Sequence, residues 1–200
     1  MNADELRDRA LAAAPQSAER ILFGAALFNA LTAGEMVLVG GGAQVTHTGI
    51  GRITDIDLVG PLTDTDRARL QTMGFRREGR HWVLEGNDAT IAVEIPADEL
   101  AAVEEPDYVE LGGVTVSVIS VTDLMMDRLI QATDRTTVTY EEALELAIAA
   151  SDRIDWEQIV DRSDKIARTE PMLNDLPGLS DRIRAKTGLS QSSGSQQPSG

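Results

Sequence analysis

The sequence predicts an α/β (α+β) fold, a short mixed sheet with packed helices followed by a helical C-terminal region. Three observations predict it. Short apolar runs bounded by glycine and proline fill the centre of the chain. Helical periodicity dominates residues 3–33 before that centre, and it returns from Val121 onward.

Within 3–33, Ser17 is placed to cap "AERILFGAALFNAL", whose Ile21, Leu22, Ala25, Leu27, Phe28 and Leu31 form an apolar stripe, and Gly34 reads as its stop. "MVLVG" and "ITDIDLVG" read as buried strands, with Gly40, Gly41 and Gly42 as a tight turn between the first of them and a helix begun by "AQVTHT". "DTDRARLQTMGF" carries Asp or Thr caps and a Gly74 stop, hence a short helix. "FRREGRHWVLE" predicts a hairpin turning at Glu78-Gly79, "DATIAVEIP" a strand halted by Pro96, and "DYVELGGVTVSVIS" a hairpin at Gly112-Gly113. Three helices follow in "VTDLMMDRLIQAT", "TYEEALELAIAAS" and "DWEQIVDRSDKIA". Their expected caps are Ser120 or Thr122, Thr139 (with Glu142 as a capping box) and Asp155. A short helix is expected at 175–185, and the Gly, Ser, Gln and Pro residues from 187 onward read as a disordered tail. The expected organisation is 1–34 N-terminal helices, 35–119 α/β core, 120–186 helical region and 187–200 tail.

The composition narrows the function classes. The 200 residues include 33 acids against 18 lysines and arginines, a formal charge of −15, and no cysteine. Disulfides, thiolate metal sites and cysteine nucleophiles are thereby excluded. The negative field opposes nucleic-acid backbones, so strong DNA binding is not expected. The apolar runs are short and the start, "MNADELRDRA", is acidic and polar, so neither a membrane span nor a secretory signal is read here and a cytoplasmic protein is expected. Only Lys165 and Lys186 are lysines. Many acids with few lysines match the proteins of salt-loving archaea, and an acidic domain of an ordinary cytosol has the same look.

The chemistry concentrates in "LVGGGAQVTHTGIGRITDIDLV". Asp55 and Asp57, two apart in a strand, project from one face while Ile56 and Leu58 point into a core. Two adjacent carboxylates repel unless a cation lies between them, and hard oxygen ligands favour Mg²⁺ or Mn²⁺. Glu94, apolar-flanked in "IAVEIP", supplies a third carboxylate if its strand is a neighbour. Backbone amides of the glycine turn can approach phosphates closely. Together these features suit a metal-bound nucleoside triphosphate.

That stretch resembles the signature of the nucleotidyltransferase superfamily of the DNA polymerase beta type. Gly41-Gly42, Arg52-Ile53-Thr54, Asp55-Ile56-Asp57 and Glu94 fall where that signature has its glycine pair, Arg-x-Thr, Asp-x-Asp and later acid. The resemblance spans roughly residues 20–165 and is nearest to small prokaryotic nucleotidyltransferase-like proteins, some of them from toxin–antitoxin or phage-defence systems. It implies a nucleotidyltransferase-type sheet, metal ligation by Asp55, Asp57 and Glu94, and catalysis through the same three residues. Nucleotide contacts fall to Gly41, Gly42, Arg52, Thr54 and Arg128. Transfer of a nucleoside monophosphate from an NTP to an acceptor (protein, RNA or small molecule) is the implied activity, and a silent binding or regulatory module, such as an antitoxin-like partner, is the alternative. The chain departs from relatives in having Glu141 and Glu142 where they carry aspartates. Asp-x-Asp also marks glycosyltransferases, but only 54 largely helical residues precede Asp55 here.

Outside the motif, His47 is equally a nucleotide contact or a helix residue, while His81, beside Trp82, is expected to be structural. Arg76, Arg77 and Arg80 form the compact basic cluster, either solvated hairpin charges or a guide for an anionic acceptor. Met125 and Met126 are expected in the core, and Glu104, Glu105 and Asp107 in a solvated loop.

Overall fold

Alternation along "ITDIDLV" decides how the centre of the chain is built: Ile56 and Leu58 are buried while Asp57 between them is half-exposed. In the computed structural model, which describes residues 1–133 and 137–188, these residues form a central strand of a seven-stranded mixed sheet. The strands are β1 (Val37–Val39), β2 (Ile56–Val59), β3 (Arg76–Glu78), β4 (His81–Glu85), β5 (Thr90–Glu94), β6 (Asp107–Leu111) and β7 (Val114–Val118), in the order β3-β4-β5-β2-β1-β7-β6. Pairing is parallel for β1 with β7 and β2 with β5, and antiparallel elsewhere. The α/β class expected from the sequence is the one observed.

The described residues divide into two compact units, Met1–Leu124 and Met125 onward. The first holds the sheet with α1 (Ala3–Ala12), α2 (Ala18–Leu31), α3 (Gly40–Thr48) and α4 (Asp64–Met73). Ser17 caps α2 as expected, its side chain accepting from Arg20 N–H. Gly24 of α2 lies against Ile56 and Ile91, where any Cβ would meet Ile56 Cδ1, so α2 covers the apolar face of β2 and β5. Phe28 of α2 meets Phe75 edge-on at 5.7 Å. Thr63 and Asp66 form a reciprocal capping box on α4, and Gly74 ends that helix with φ 106°. The second unit holds most of α5 (Val121–Ala132), then α6 (Thr137–Ala149), α7 (Trp156–Thr169) and α8 (Leu176–Lys186). Met125 and Met126 are buried, and Asp155 caps α7 by accepting from Glu157 and Gln158 N–H. No helix among the described residues is long and apolar enough to cross a membrane.

Five local expectations shift. Gly40, Gly41 and Gly42 are the first turn of α3 itself, because the chain leaves β1 directly into the helix with Gly40 at φ 61°. β2 begins at Ile56, which leaves Asp55 in the bend before it. α2 ends at Leu31 with Thr32 extended, three residues short of Gly34. The β3–β4 turn centres on Gly79-Arg80, since Glu78 pairs with His81. Thr139 lies inside α6, which starts two residues earlier, while Ser120 accepts from Asp123 N–H at the start of α5. The expected tail beyond residue 188 lies outside the described residues.

Candidate functional site

Pairing register assembles the site. Cross-strand partners share a sheet face, and one row runs Glu78↔His81↔Glu94↔Asp57↔Val39 across five strands. The neighbouring row, Trp82↔Val93↔Ile56, faces the apolar side that α2 covers. The first row therefore places His81, Glu94 and Asp57 together on the opposite side of the sheet.

Asp55, just upstream of β2, reaches the same cluster. His81 Nε2 lies 2.8 Å from Asp55 Oδ2 and 3.7 Å from Glu94 Oε2. Arg80 Nε sits 3.0 Å from Glu94 Oε2, and Thr54 Oγ1 donates to Asp55 Oδ1 at 2.7 Å. The Asp55 and Glu94 side chains are each only 15% exposed, so their charges need counterions. His81 and Arg80 stand where counterions are needed. Asp55, His81 and Glu94 together offer ligand atoms within 4.8 Å of one another, a group able to hold a metal ion. A cavity of about 330 Å³ adjoins Asp55, bordered by Gln16, Arg20, Thr54, Thr90 and Ile91. That volume is at the small end for a ligand site, roughly 300–1,000 Å³.

Asp57 takes a different position. Its carboxylate stands against Gly40 at the start of α3, where a Cβ on Gly40 would meet Asp57 Cγ at 3.1 Å and Oδ2 more closely still. Gly41 backs onto the Arg52 carbonyl, 2.9 Å from where its Cβ would be, and Gly42 fits between Leu38 and Ile21. The glycine run thus brings the positive end of α3 beside the Asp57 carboxylate. Arg52 and Thr54 are exposed on the approach to β2. Arg128 belongs to the second unit, where its guanidinium donates to Gln131 Oε1 at 2.8 Å and lies 3.7 Å from Glu142 Oε2.

His81, expected to be structural beside Trp82, sits against the Asp55 and Glu94 carboxylates. The missed signal is the four-residue connection Gly86–Ala89: pairing Glu85 with Thr90 across it sets His81 opposite Glu94. The basic cluster disperses into separate contacts. Arg76 pairs with Glu78 and Glu85, Arg77 stacks 5.7 Å over Trp82, and Arg80 turns to Glu94. His47 donates from Nε2 to the Ile119 carbonyl at 2.8 Å, tying α3 to the end of β7.

The sheet thus carries two carboxylates and an imidazole at one point, and of the three only Asp55 also borders the cavity. Several solved structures resemble the chain. JHP933 from Helicobacter pylori aligns at 11% identity and TM-score 0.49, covering 94% of this chain and 95% of that one. The antibiotic-resistance factor ANT(2'')-Ia in solution aligns at 14% identity and TM-score 0.45, covering 94% and 97%. Its crystal form with adenylyl-2''-tobramycin aligns at 17% and 0.37, covering 76% and 88%. No family model matches the sequence, and no curated protein sequence is significantly similar to it.

Proposed function

We propose that the chain is a divalent-metal-dependent nucleotidyltransferase of the cytoplasm. It moves a nucleoside monophosphate from an NTP to an acceptor hydroxyl on a protein, an RNA or a small molecule. The carrying observation is the convergence of Asp55, from the bend before β2, and Glu94, from the end of β5, both largely screened from water and within reach of one ion together with His81. The donor set fits a hard or borderline divalent cation: two carboxylates and one imidazole with no sulfur ligand.

Asp55 and Glu94 would hold Mg²⁺ or Mn²⁺, with Asp57 alongside on β2. A bound divalent cation supplies charge that stabilises the transferring phosphoryl group and makes the acceptor hydroxyl more acidic. Gly41 and Gly42 present the start of α3 to phosphate oxygens. Arg52 and Thr54, exposed on the approach to β2, would contact the nucleotide. Glu94 takes the acceptor proton as the acceptor oxygen bonds to the α-phosphorus, the α–β bridging P–O bond breaks, and pyrophosphate departs.

One observation favours a second reading. His81 and Arg80 already sit against Asp55 and Glu94, as in a purely structural polar network. A silent nucleotide-binding or partner-binding module, antitoxin-like in role, would look the same. Incubation of the protein in concentrated KCl with each α-labelled NTP, Mg²⁺ or Mn²⁺, and protein, RNA and small-molecule acceptor pools separates the two. Label transfer lost in Asp55→Asn, Asp57→Asn and Glu94→Gln supports the enzyme. No transfer, with nucleotide binding indifferent to those changes, overturns it.

A further inference from the structure

We infer that His81 is itself a metal ligand, and that Asp55, His81 and Glu94 form a mixed nitrogen–oxygen site which prefers Mn²⁺ to Mg²⁺. The inference deepens the transferase reading and rests on it only for the identity of the reaction. Metal binding can be read without any nucleotide.

Three observations carry it. First, the three donors come from three separate segments, the bend before β2, the first residue of β4 and the last residue of β5. His81 and Glu94 meet as cross-strand partners, and Asp55 reaches them from the residue just before the strand that pairs with β5. Second, their spacing suits a shared ion. Donors bonded to one cation at about 2.1 Å lie about 3.0 Å apart when adjacent in an octahedron and about 4.2 Å apart when opposite. His81 Nε2 stands 2.8 Å from Asp55 Oδ2 and 3.7 Å from Glu94 Oε2, spanning the adjacent spacing. Third, His81 aims Nε2 at both carboxylates. Without an ion, Nε2–H donates to Asp55 Oδ2 at 2.8 Å; a cation taking that proton's place would meet the Nε2 lone pair, the imidazole then carrying its proton on Nδ1.

The selectivity follows from donor chemistry. Mg²⁺ is hard, keeps most of its water and takes oxygen ligands. An imidazole nitrogen adds little for it, whereas first-row transition ions gain from nitrogen donors, and two carboxylates in the set keep Mn²⁺ well accommodated. A site of carboxylates alone lacks that bias. His81 therefore acts as the selectivity-determining ligand, and Asp57, held against α3, stands outside the three-donor group.

Electron paramagnetic resonance of Mn²⁺ tests this on the full chain in concentrated KCl, which screens the acidic surface. The free-ion signal gives Mn²⁺ affinity, Mg²⁺ competition gives the preference, and electron-spin-echo modulation reports a directly bonded ¹⁴N. The wild type is expected to show nitrogen modulation and a Mn²⁺ preference of at least tenfold. His81→Ala and His81→Gln should lose the modulation and weaken Mn²⁺ binding by about tenfold or more, on the scale of known effects around metal sites, with Mg²⁺ changed less than threefold. His81→Gln keeps a hydrogen-bond donor toward Asp55, so it guards against a folding artefact, and far-UV circular dichroism checks both variants. Absent nitrogen modulation in the wild type, or an unchanged Mn²⁺/Mg²⁺ ratio in both variants, overturns the inference. Nucleotidyl transfer without nitrogen coupling would discard the His81 ligand and keep the transferase. Nitrogen coupling without transfer would do the reverse.

Discussion

Placing a methyl group on Gly40 tests the architecture of the site directly. Gly40 has φ 61°, and its missing Cβ would stand 3.1 Å from Asp57 Cγ, 3.3 Å from Asp57 Cβ, and closer to Oδ2. Gly40→Ala therefore meets two costs. The left-handed backbone costs an L-residue about 1–2 kcal/mol, offset by roughly 0.4–1 kcal/mol from the stiffer unfolded chain. The collision with the carboxylate adds about 1–3 kcal/mol, the usual range for overpacking. The expected loss is about 2–4 kcal/mol. Gly49→Ala is the control: φ is 71°, nothing lies within 4 Å of the added carbon, and about 1 kcal/mol should be lost. In an Asp57→Ala background the Gly40→Ala cost should fall by about 1–2 kcal/mol, but not vanish, because Asp57 Cβ remains. Urea unfolding followed by Trp82 fluorescence measures this if Trp156, in the second unit, is first changed to Phe. Equal Gly40→Ala costs in both backgrounds would refute the packing of Asp57 against the start of α3.

Three further outcomes are expected. Asp66 is buried, and its carboxylate accepts from Thr63 Oγ1 and from the Thr63 and Ala33 N–H groups, with Arg69 nearby. The Thr63 hydroxyl bond is the main cause that holds its pKa below the ordinary carboxylate value of 3.8, although burial opposes it. Its contribution is present above that value and is lost as pH falls through the lower folded pKa. Asp66→Ala should cost about 1–3 kcal/mol at neutral pH, and the acid limb of a pH–stability profile checks it. Asp127 on α5 behaves oppositely. Burial raises its pKa, while Arg128 and the Gln131 hydrogen bond pull it down. A raised carboxyl pKa favours folding below 3.8 and loses that advantage as pH rises through the folded value. Asp127→Asn should thus gain more stability at pH 7 than at pH 4.5 in paired urea titrations. Arg80→Gln frees Glu94 from an exposed partner at 3.0 Å. Exposed pairs contribute about 0.2–1 kcal/mol, so divalent-metal affinity should rise by up to about fivefold in Mn²⁺ titrations.

Local chemistry makes most elements legible in the sequence. Ser17, Gly74 and Asp155 act at short range through one or two hydrogen bonds or a single φ, so their helices announce themselves. Alternation with apolar neighbours holds for Asp57 on β2, whereas Asp55 falls in the bend before the strand and turns to a different set of neighbours. Their partners are not legible, since strand neighbours are set by packing between distant segments. Nothing near His81 in sequence indicates that it faces Glu94 thirteen residues later; that depends on how the Gly86–Ala89 connection registers β4 on β5. The Arg76, Arg77 and Arg80 cluster misled for a related reason. Consecutive strand residues point to opposite faces and the turn redirects the last, so one run of charge becomes three separate contacts.

The triple glycine carries the sharpest tension between packing and chemistry. Each glycine has a steric reason that requires no ligand: Gly40 the Asp57 carboxylate, Gly41 the Arg52 carbonyl, Gly42 the Leu38 and Ile21 side chains. Packing alone would therefore keep these positions small in a silent fold as firmly as in an enzyme. The carboxylates differ. A fold needs no second acid beside a largely buried first, because each added charge raises the desolvation cost unless something returns it. Asp55 and Glu94 meet that cost with His81 and Arg80, two groups brought in from the next hairpin. For stability alone, apolar residues would serve as well at the largely buried positions 55 and 94. The acids and the imidazole are thus where the transferase reading and the silent one make different demands, and Gly40 reports how closely α3 approaches Asp57.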